Sequence, residues 1–201
     1  MTQVDYTHLA KTIASLTEGE DDVIALMATV ACELHHSDDR FDWTGFYRVV
    51  SPQMLKIGPY QGGHGCLKIP FSHGVCGAAA RLGKTQLVPD VDAFVGHIAC
   101  ASSTRSEVVL PVWDKAGALL AVLDIDSDQP NAFFQTDGDS LAEILRNKVC
   151  DIFPQQCVRF VFFLCLMLRS PQASEFKISA RAVIPVQVSR RFKRSKTFSS
   201  T

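Results

Sequence analysis

The sequence carries almost no net charge: 20 Lys and Arg stand against 21 Asp and Glu, a formal −1. With neither sign dominant, the chain as a whole lacks the electrostatic footprint of a nucleic-acid binder. It also lacks a long apolar run. The longest, residues 160–168, is about half of the ~20 residues a membrane helix requires. Residues 1–15 contain no apolar stretch behind a basic one, so no secretory leader is read there. A cytoplasmic location without a membrane partner is the expectation. No two cysteines are spaced Cys-x-x-Cys, and the His and Cys spacings do not match a zinc site, so no metal and no bound cofactor are expected. The seven cysteines are an odd number, which argues against a closed framework of structural disulfides.

What is present describes one ordinary globular domain, 47% hydrophobic and 20% charged, with enough apolar material for a core. The charge is unevenly placed. From Asp151 onward nine basic residues meet two acidic ones, while the preceding part carries eleven against nineteen. We therefore divide the chain into a catalytic-type domain, 1–153, and a basic tail, 154–201. The tail has one short apolar run and is expected to be disordered.

Along the domain, Leu9, Ile13 and Leu16 recur at helical spacing. Behind an acidic cluster, Val23, Leu26, Met27, Val30 and Leu34 form the face of a second helix closed by His35 and His36. Residues 41–50 and 54–57 read as a hairpin across Ser51-Pro52, and 58–65, rich in glycine, as loop. A short strand at 67–71 precedes a small helix over 74–82 that stops at Gly83, and 85–88 forms another strand. Residues 89–106 have little periodicity, and a loop of that length is usually functional. Residues 107–113 and 118–127 form an apolar hairpin, and Thr136 caps a last helix with Asp139 as its capping-box partner. The order predicts an α+β fold: an antiparallel sheet with its helices packed on one side.

Three features carry chemistry. Cys66, Cys76 and Cys100 lie in or beside irregular segments: after a glycine-rich stretch, at the start of the small helix, and inside the long loop. Thiolates near backbone N–H groups and helix N-termini have lowered pKa and become nucleophilic. Cys32, Cys150, Cys157 and Cys165 read as structural. Asp124 and Asp126 flank Ile125 near the end of an apolar strand, so both carboxylates point to one face, and Glu107 opens the neighbouring strand. Acids so placed either lie in solvent at the strand end or share a proton with one pKa raised. Trp43, Gly45 and Tyr47 occupy one face of the first strand, as core or as the wall of a pocket for a thioether-like group. Together these describe a cysteine-using pocket lined with carboxylates, suited to a small cationic substrate with an electrophilic atom.

The segments Asp42-Trp43-Thr44-Gly45-Phe46-Tyr47, Ile69-Pro70-Phe71 with Gly74-Val75-Cys76-Gly77, Pro89-Asp90-Val91 leading to Gly96-His97-Ile98-Ala99-Cys100, Ser106-Glu107, and Val122-Leu123-Asp124-Ile125-Asp126-Ser127 resemble the free methionine-(R)-sulfoxide reductases. The likeness covers roughly residues 9–153 and includes the mutual spacing of the three cysteines. It implies a GAF fold enclosing one amino acid, with Cys100 as nucleophile, Cys66 as resolving partner and Cys76 as a third redox cysteine. The division of resolving work between Cys66 and Cys76 stays open. Glu107, Asp124 and Asp126 match the family's substrate-binding carboxylates, and Trp43 and Tyr47 its pocket aromatics. Glu107 and Asp126 are also candidate proton donors in catalysis.

The implied reaction reduces free methionine-(R)-sulfoxide to methionine. A protonated carboxyl polarises the sulfoxide oxygen, the Cys100 thiolate attacks sulfur, and the sulfenic acid condenses with Cys66 to a disulfide that thioredoxin reduces. The sequence leaves a homodimer open. The rival reading is a non-catalytic GAF-type sensor or redox switch. Three pocket carboxylates would repel the phosphate of a nucleotide ligand, which disfavours the sensor.

Overall fold

Backbone groups left without partners at helix ends are satisfied here by the residues flanking them. In the computed structural model, which describes residues 4–148, α1 (Tyr6–Leu16) and α2 (Val23–His35) open the chain. The expectations for the tail 154–201, and for Cys150, Cys157 and Cys165, lie outside the described residues. Asp22 accepts from the N–H groups of Ile24 and Ala25 at 2.8 and 2.9 Å, and Asp5 caps α1 from His8 at 2.9 Å. At the other end of α2, His36 Nδ1 sits 2.8 Å from the Cys32 carbonyl, closing the helix as its sequence position suggested. Leu26, Met27, Val30, Ala31 and Leu34 form the buried face of α2. In α1 the pattern holds for Leu9 and Ile13, but Leu16, at the last turn, is 57% exposed.

Six strands follow: β1 (Trp43–Ser51), β2 (Met54–Gln61), β3 (Lys68–Pro70), β4 (Gln86–Val88), β5 (Ser106–Trp113) and β6 (Leu119–Ser127). α3 (Gly74–Leu82) lies between β3 and β4, and α4 (Gln135–Lys148) ends the domain. The sheet order is β3-β2-β1-β6-β5-β4, with every pairing antiparallel. β2 runs four residues beyond the expected hairpin, through Gln61, where a loop was read from the glycines. The register slips between Gly45 and Tyr47, which lets Pro59 fall at the irregularity. Gly45 then pairs with Tyr60, and only glycine fits, because a Cβ there would collide with Tyr60 and lie 2.5 Å from the Trp43 ring.

α4 also begins two residues earlier than a cap at Thr136 implies. Asp137, not Asp139, reaches back to the helix start and accepts from Phe134 N–H at 2.8 Å, while Asp139 accepts from Gln135 one turn away. Asp137 is preferred because it is already fixed. It accepts from the Tyr6 hydroxyl at 2.7 Å and faces Arg40, which also binds Asp38 at 2.9 Å. This nearly buried network ties α1, the α2–β1 connection and α4 together. Burial drives the Asp38 carboxyl upward, but hydrogen bonds from Arg40 outweigh it and hold the group below its usual range.

The sheet separates two layers. On one face α1, α2 and α4 pack over Phe46, Val108, Leu110, Val112, Leu123 and Ile125, all at most 1% exposed. Each such side chain contributes about 2 kcal/mol. The expected segregation of helices to one side holds for these three. The exception is α3, which crosses the opposite face over Val109 and Val122. It can do so because seven of its nine residues, mostly Gly and Ala, are small enough to lie flat on the strands. A Cβ at Gly77 would meet the Pro70 carbonyl at 2.6 Å. That second layer holds the chemistry.

Candidate active site

Strand register decides which polar groups meet. Trp43 on β1 is opposite Asp126 on β6, and Asp126 is opposite Glu107 on β5. Two positions along β6, Asp124 is opposite Gly45 and Val109. The period of two turns Ile125 into the helical core, fully buried, and turns both aspartates to the α3 face. Glu107 and Asp124 are each 5% exposed, so these acids are not at a solvated strand end.

The cysteines arrive from three directions. Cys76 sits in the first turn of α3 and is buried with a free thiol. Cys66 lies between β2 and β3, Cys100 between β4 and β5, and the two form a disulfide with Cα atoms 5.2 Å apart. The Cys100 loop is fastened to α3 through the Gly74 N–H, which donates to Gly96 O at 2.9 Å. Gly74 has φ +70°, and its missing Cβ leaves Ile98 packed directly over the backbone. A narrow cavity of about 20 Å³ beside Cys100 is lined by Cys76, Ile98, Thr104, Glu107, Asp124 and Asp126 among others.

Trp43 and Tyr47 do not line that cavity. They stack with ring centres 5.7 Å apart under the loop that carries Cys66. Trp43 Nε1 donates to Gly63 O at 3.2 Å, and the Tyr47 oxygen accepts from the Cys66 N–H. In this disulfide-bonded form both aromatics support the Cys66 loop.

The electrostatics follow from burying anionic groups together. Glu107 is pushed well above its ordinary range by burial first, then by Asp124 and Asp126. Asp126 rises for the same reason, with Asp124 as the nearest charge and the Thr104 hydroxyl as a partial counterweight. Asp124 is raised by burial to about 6, restrained by hydrogen bonds from Glu107 and Cys76. All three therefore keep their protons to higher pH than isolated carboxyls do, and Glu107 and Asp126 keep theirs beside an Asp124 that ionises first. Asp124 Oδ1 has no hydrogen-bond partner although it is buried.

For Cys76 the expectation of a lowered thiol pKa at a helix start is corrected. Burial, then Asp124 and Glu107, push it well above the ordinary thiol value. A helix terminus favours a thiolate only where neighbouring carboxylates do not oppose it. Cys76, Glu107 and Asp124 bring one ligand atom each within 4.8 Å of one another, the one grouping of its kind among the described residues. Thr104 escaped the sequence reading, its only signal being membership of the aperiodic segment 89–106, and Ile98 entered it only as part of the Gly96–Cys100 motif, without a role.

Comparison with known proteins bears on this site. The profile of the GAF domain family matches residues 6–150. The chain is 43% identical to GAF domain-containing protein A of Dictyostelium discoideum, over 70% of this chain and 88% of that protein. It is 35% identical to the free methionine-R-sulfoxide reductase of Escherichia coli, covering 70% of this chain and 84% of that one. Among solved structures, the free methionine-R-sulfoxide reductase of Neisseria meningitidis in complex with its substrate superposes with a TM-score of 0.69. The identity is 38%, over 73% of this chain and 87% of that chain.

Proposed function

The chain belongs to the GAF domain family and, within it, to the free methionine-R-sulfoxide reductases, and from that premise we propose how its residues carry out the reduction. The observation that carries the reading is the Cys66–Cys100 bridge lying over a buried set of protonated carboxyls.

A sulfoxide sulfur becomes electrophilic when its oxygen receives a proton. Glu107 and Asp126, held protonated beside an ionised Asp124, are suited to supply it. The Cys100 thiolate attacks sulfur, the S–O bond breaks, and oxygen passes to Cys100 as a sulfenic acid while methionine leaves. Cys66 then attacks that sulfenic acid, releasing water and closing the disulfide. Thioredoxin, as external dithiol, returns both cysteines to thiols by exchange and takes up the oxidising equivalents. Asp124, with an oxygen lacking a partner, accepts the free ammonium of the substrate. A peptide-bound substrate has no such ammonium, which favours the free amino acid.

Cys76, held as a neutral thiol, is assigned to binding rather than attack. Trp43 and Tyr47 fix the Cys66 loop when the bridge is closed and face the substrate's methylthio group when it is open.

The test is methionine release from separate R and S epimers of free methionine sulfoxide, with thioredoxin recycling. Turnover of the R epimer alone, abolished in Cys100→Ser, is expected. A folded, reduced wild type that releases no methionine would refute the assignment.

A further inference from the structure

We propose that Thr104 is a positioning residue for proton delivery: its hydroxyl orients the Asp126 carboxyl and steadies the carboxylate left when the proton departs. The inference rests on the assignment of Asp126 as a proton donor. Thr104 is 7% exposed, a buried hydroxyl at the end of the loop that carries Cys100. It lines the same narrow cavity as Asp126 and Cys100, and its side chain is hydrogen-bonded to the Asp126 carboxyl.

The backbone holds the two residues together. The N–H of Arg105, next to Thr104, donates to the carbonyl of Ser127, next to Asp126, at 2.8 Å. The Arg105 carbonyl in turn accepts from Val91 N–H at 3.0 Å, and Asp42 N–H donates to the Asp126 carbonyl at 3.0 Å. Thr104 is thereby fastened to the end of β6, although residues 94–103 before it belong to no helix or strand. A donor so anchored keeps one geometry toward its acceptor.

A protonated carboxyl has one oxygen that only accepts and one that carries the proton. The Thr104 hydroxyl donates to the first, which confines the Asp126 proton to the second. When that proton passes to the sulfoxide oxygen, the Asp126 O–H bond breaks and its electron pair stays on the carboxylate. The bond from Thr104 then becomes charge-assisted and strengthens. Because the gain arises as charge develops, it acts on the rate more than on binding. The proton leaves with the oxygen on the Cys100 sulfenic acid, and Asp126 recovers one from solvent. The other groups facing this carboxyl are Asp124 on β6, Glu107 on β5, Cys76 on α3, Tyr47 on β1, and Asp42 and Asp128 just outside β1 and β6. His97 lines the same cavity. The neighbouring carboxylates oppose ionisation of Asp126, and the Thr104 bond favours it.

The experiment uses the full chain. Thr104→Val keeps the shape of the side chain and removes the hydroxyl, and Thr104→Ser keeps the hydroxyl. With reduced enzyme and free methionine-(R)-sulfoxide, kcat of Thr104→Val is expected to fall about tenfold or more at nearly unchanged KM. Its alkaline limb should move to higher pH, and the serine variant should restore both. A second readout needs no turnover. In the bridged protein, NMR of isotope-labelled aspartate carboxyls follows the titration of Asp126, identified by its loss in Asp126→Asn. That titration is expected at higher pH in Thr104→Val than in wild type or Thr104→Ser. A kcat within about twofold of wild type, an alkaline limb that stays in place, coincident Asp126 titrations, or a serine variant as slow as the valine one overturns the proposal. If valine prevents folding, Thr104→Ala is read in the same way. A wild type that releases no methionine refutes the reductase reading instead, and the NMR titration still decides whether Thr104 acts on Asp126.

Discussion

Replacing Asp124 by asparagine tests the electrostatic description of the site through stability alone. The folded protein raises this carboxyl from its ordinary value of 3.8 to about 6. A carboxyl raised on folding contributes stability below its unfolded pKa and loses that contribution as pH climbs through the folded value. At roughly 1.4 kcal/mol per unit, the shift corresponds to about 3 kcal/mol at neutral pH. Some of this is already expended at pH 4, where the unfolded chain has begun to ionise. The swing between pH 4 and pH 8 is therefore about 2–3 kcal/mol. The asparagine cannot ionise, and titrating groups away from the site are shared and cancel between the two proteins, while relief of Glu107 and Asp126 adds to the difference in the same direction. Urea unfolding of both oxidised proteins at the two pH values gives the double difference directly. The variant should gain on the wild type by at least about 2–3 kcal/mol from pH 4 to pH 8, or roughly 5–10 °C in Tm for a domain of this size. Its stability at pH 4 alone reports only the exchange of a protonated carboxyl for an amide. An unchanged difference at the two pH values would refute the claim that burial raises Asp124.

The same substitution acts on catalysis in the opposite sense: without the Asp124 charge, Glu107 and Asp126 ionise at lower pH, and the alkaline limb of the pH–rate profile should shift downward. An unmoved limb would separate those acids from the rate. In single-turnover experiments Cys66→Ala should release about one methionine per chain and accumulate Cys100 sulfenic acid, detectable with a sulfenic-acid reagent; steady multiple turnover with thioredoxin would assign resolution to another thiol. Arg40→Ala leaves Asp38 and Asp137 unpaired near the core, and thermal unfolding should show a loss of about 3 kcal/mol with unaltered KM in the protein that stays folded. Gly45→Ala forces Trp43 and Tyr60 apart, costs about 1–3 kcal/mol, and raises KM, whereas a variant of wild-type stability would mean that the strand register can slide.

Local patterns were readable wherever a local rule governs them. The period of 3.6 marked the buried face of α2, and the period of two put Asp124 and Asp126 on one side with Ile125 on the other. Gly83 marked the end of α3, where it takes φ +63°. The order of the motifs, with its three spaced cysteines, was enough to point to the family that the comparisons establish. Where local rules compete, the reading failed. Residues 58–61 looked like loop because glycine and proline break strands in isolation, yet the Gly45–Tyr60 pairing carries them into β2. Asp139 fits a capping box on spacing, but Tyr6 and Arg40, more than ninety residues away in sequence, fix Asp137 for that task.

The chemistry of the site divides along the same line. The residue types that can act, three thiols and three carboxyls, are written in the chain. Their protonation is not, because a pKa depends on burial and on charges that only the fold brings together. Cys76 at a helix start reads as an activated thiol, and becomes a protonated one because β5 and β6 place Glu107 and Asp124 against it. The sequence by itself determined which groups could do the work; the register of β1, β6 and β5, packed under α3, decided which of them carry protons, since desolvation and Coulomb repulsion act through space and not along the chain.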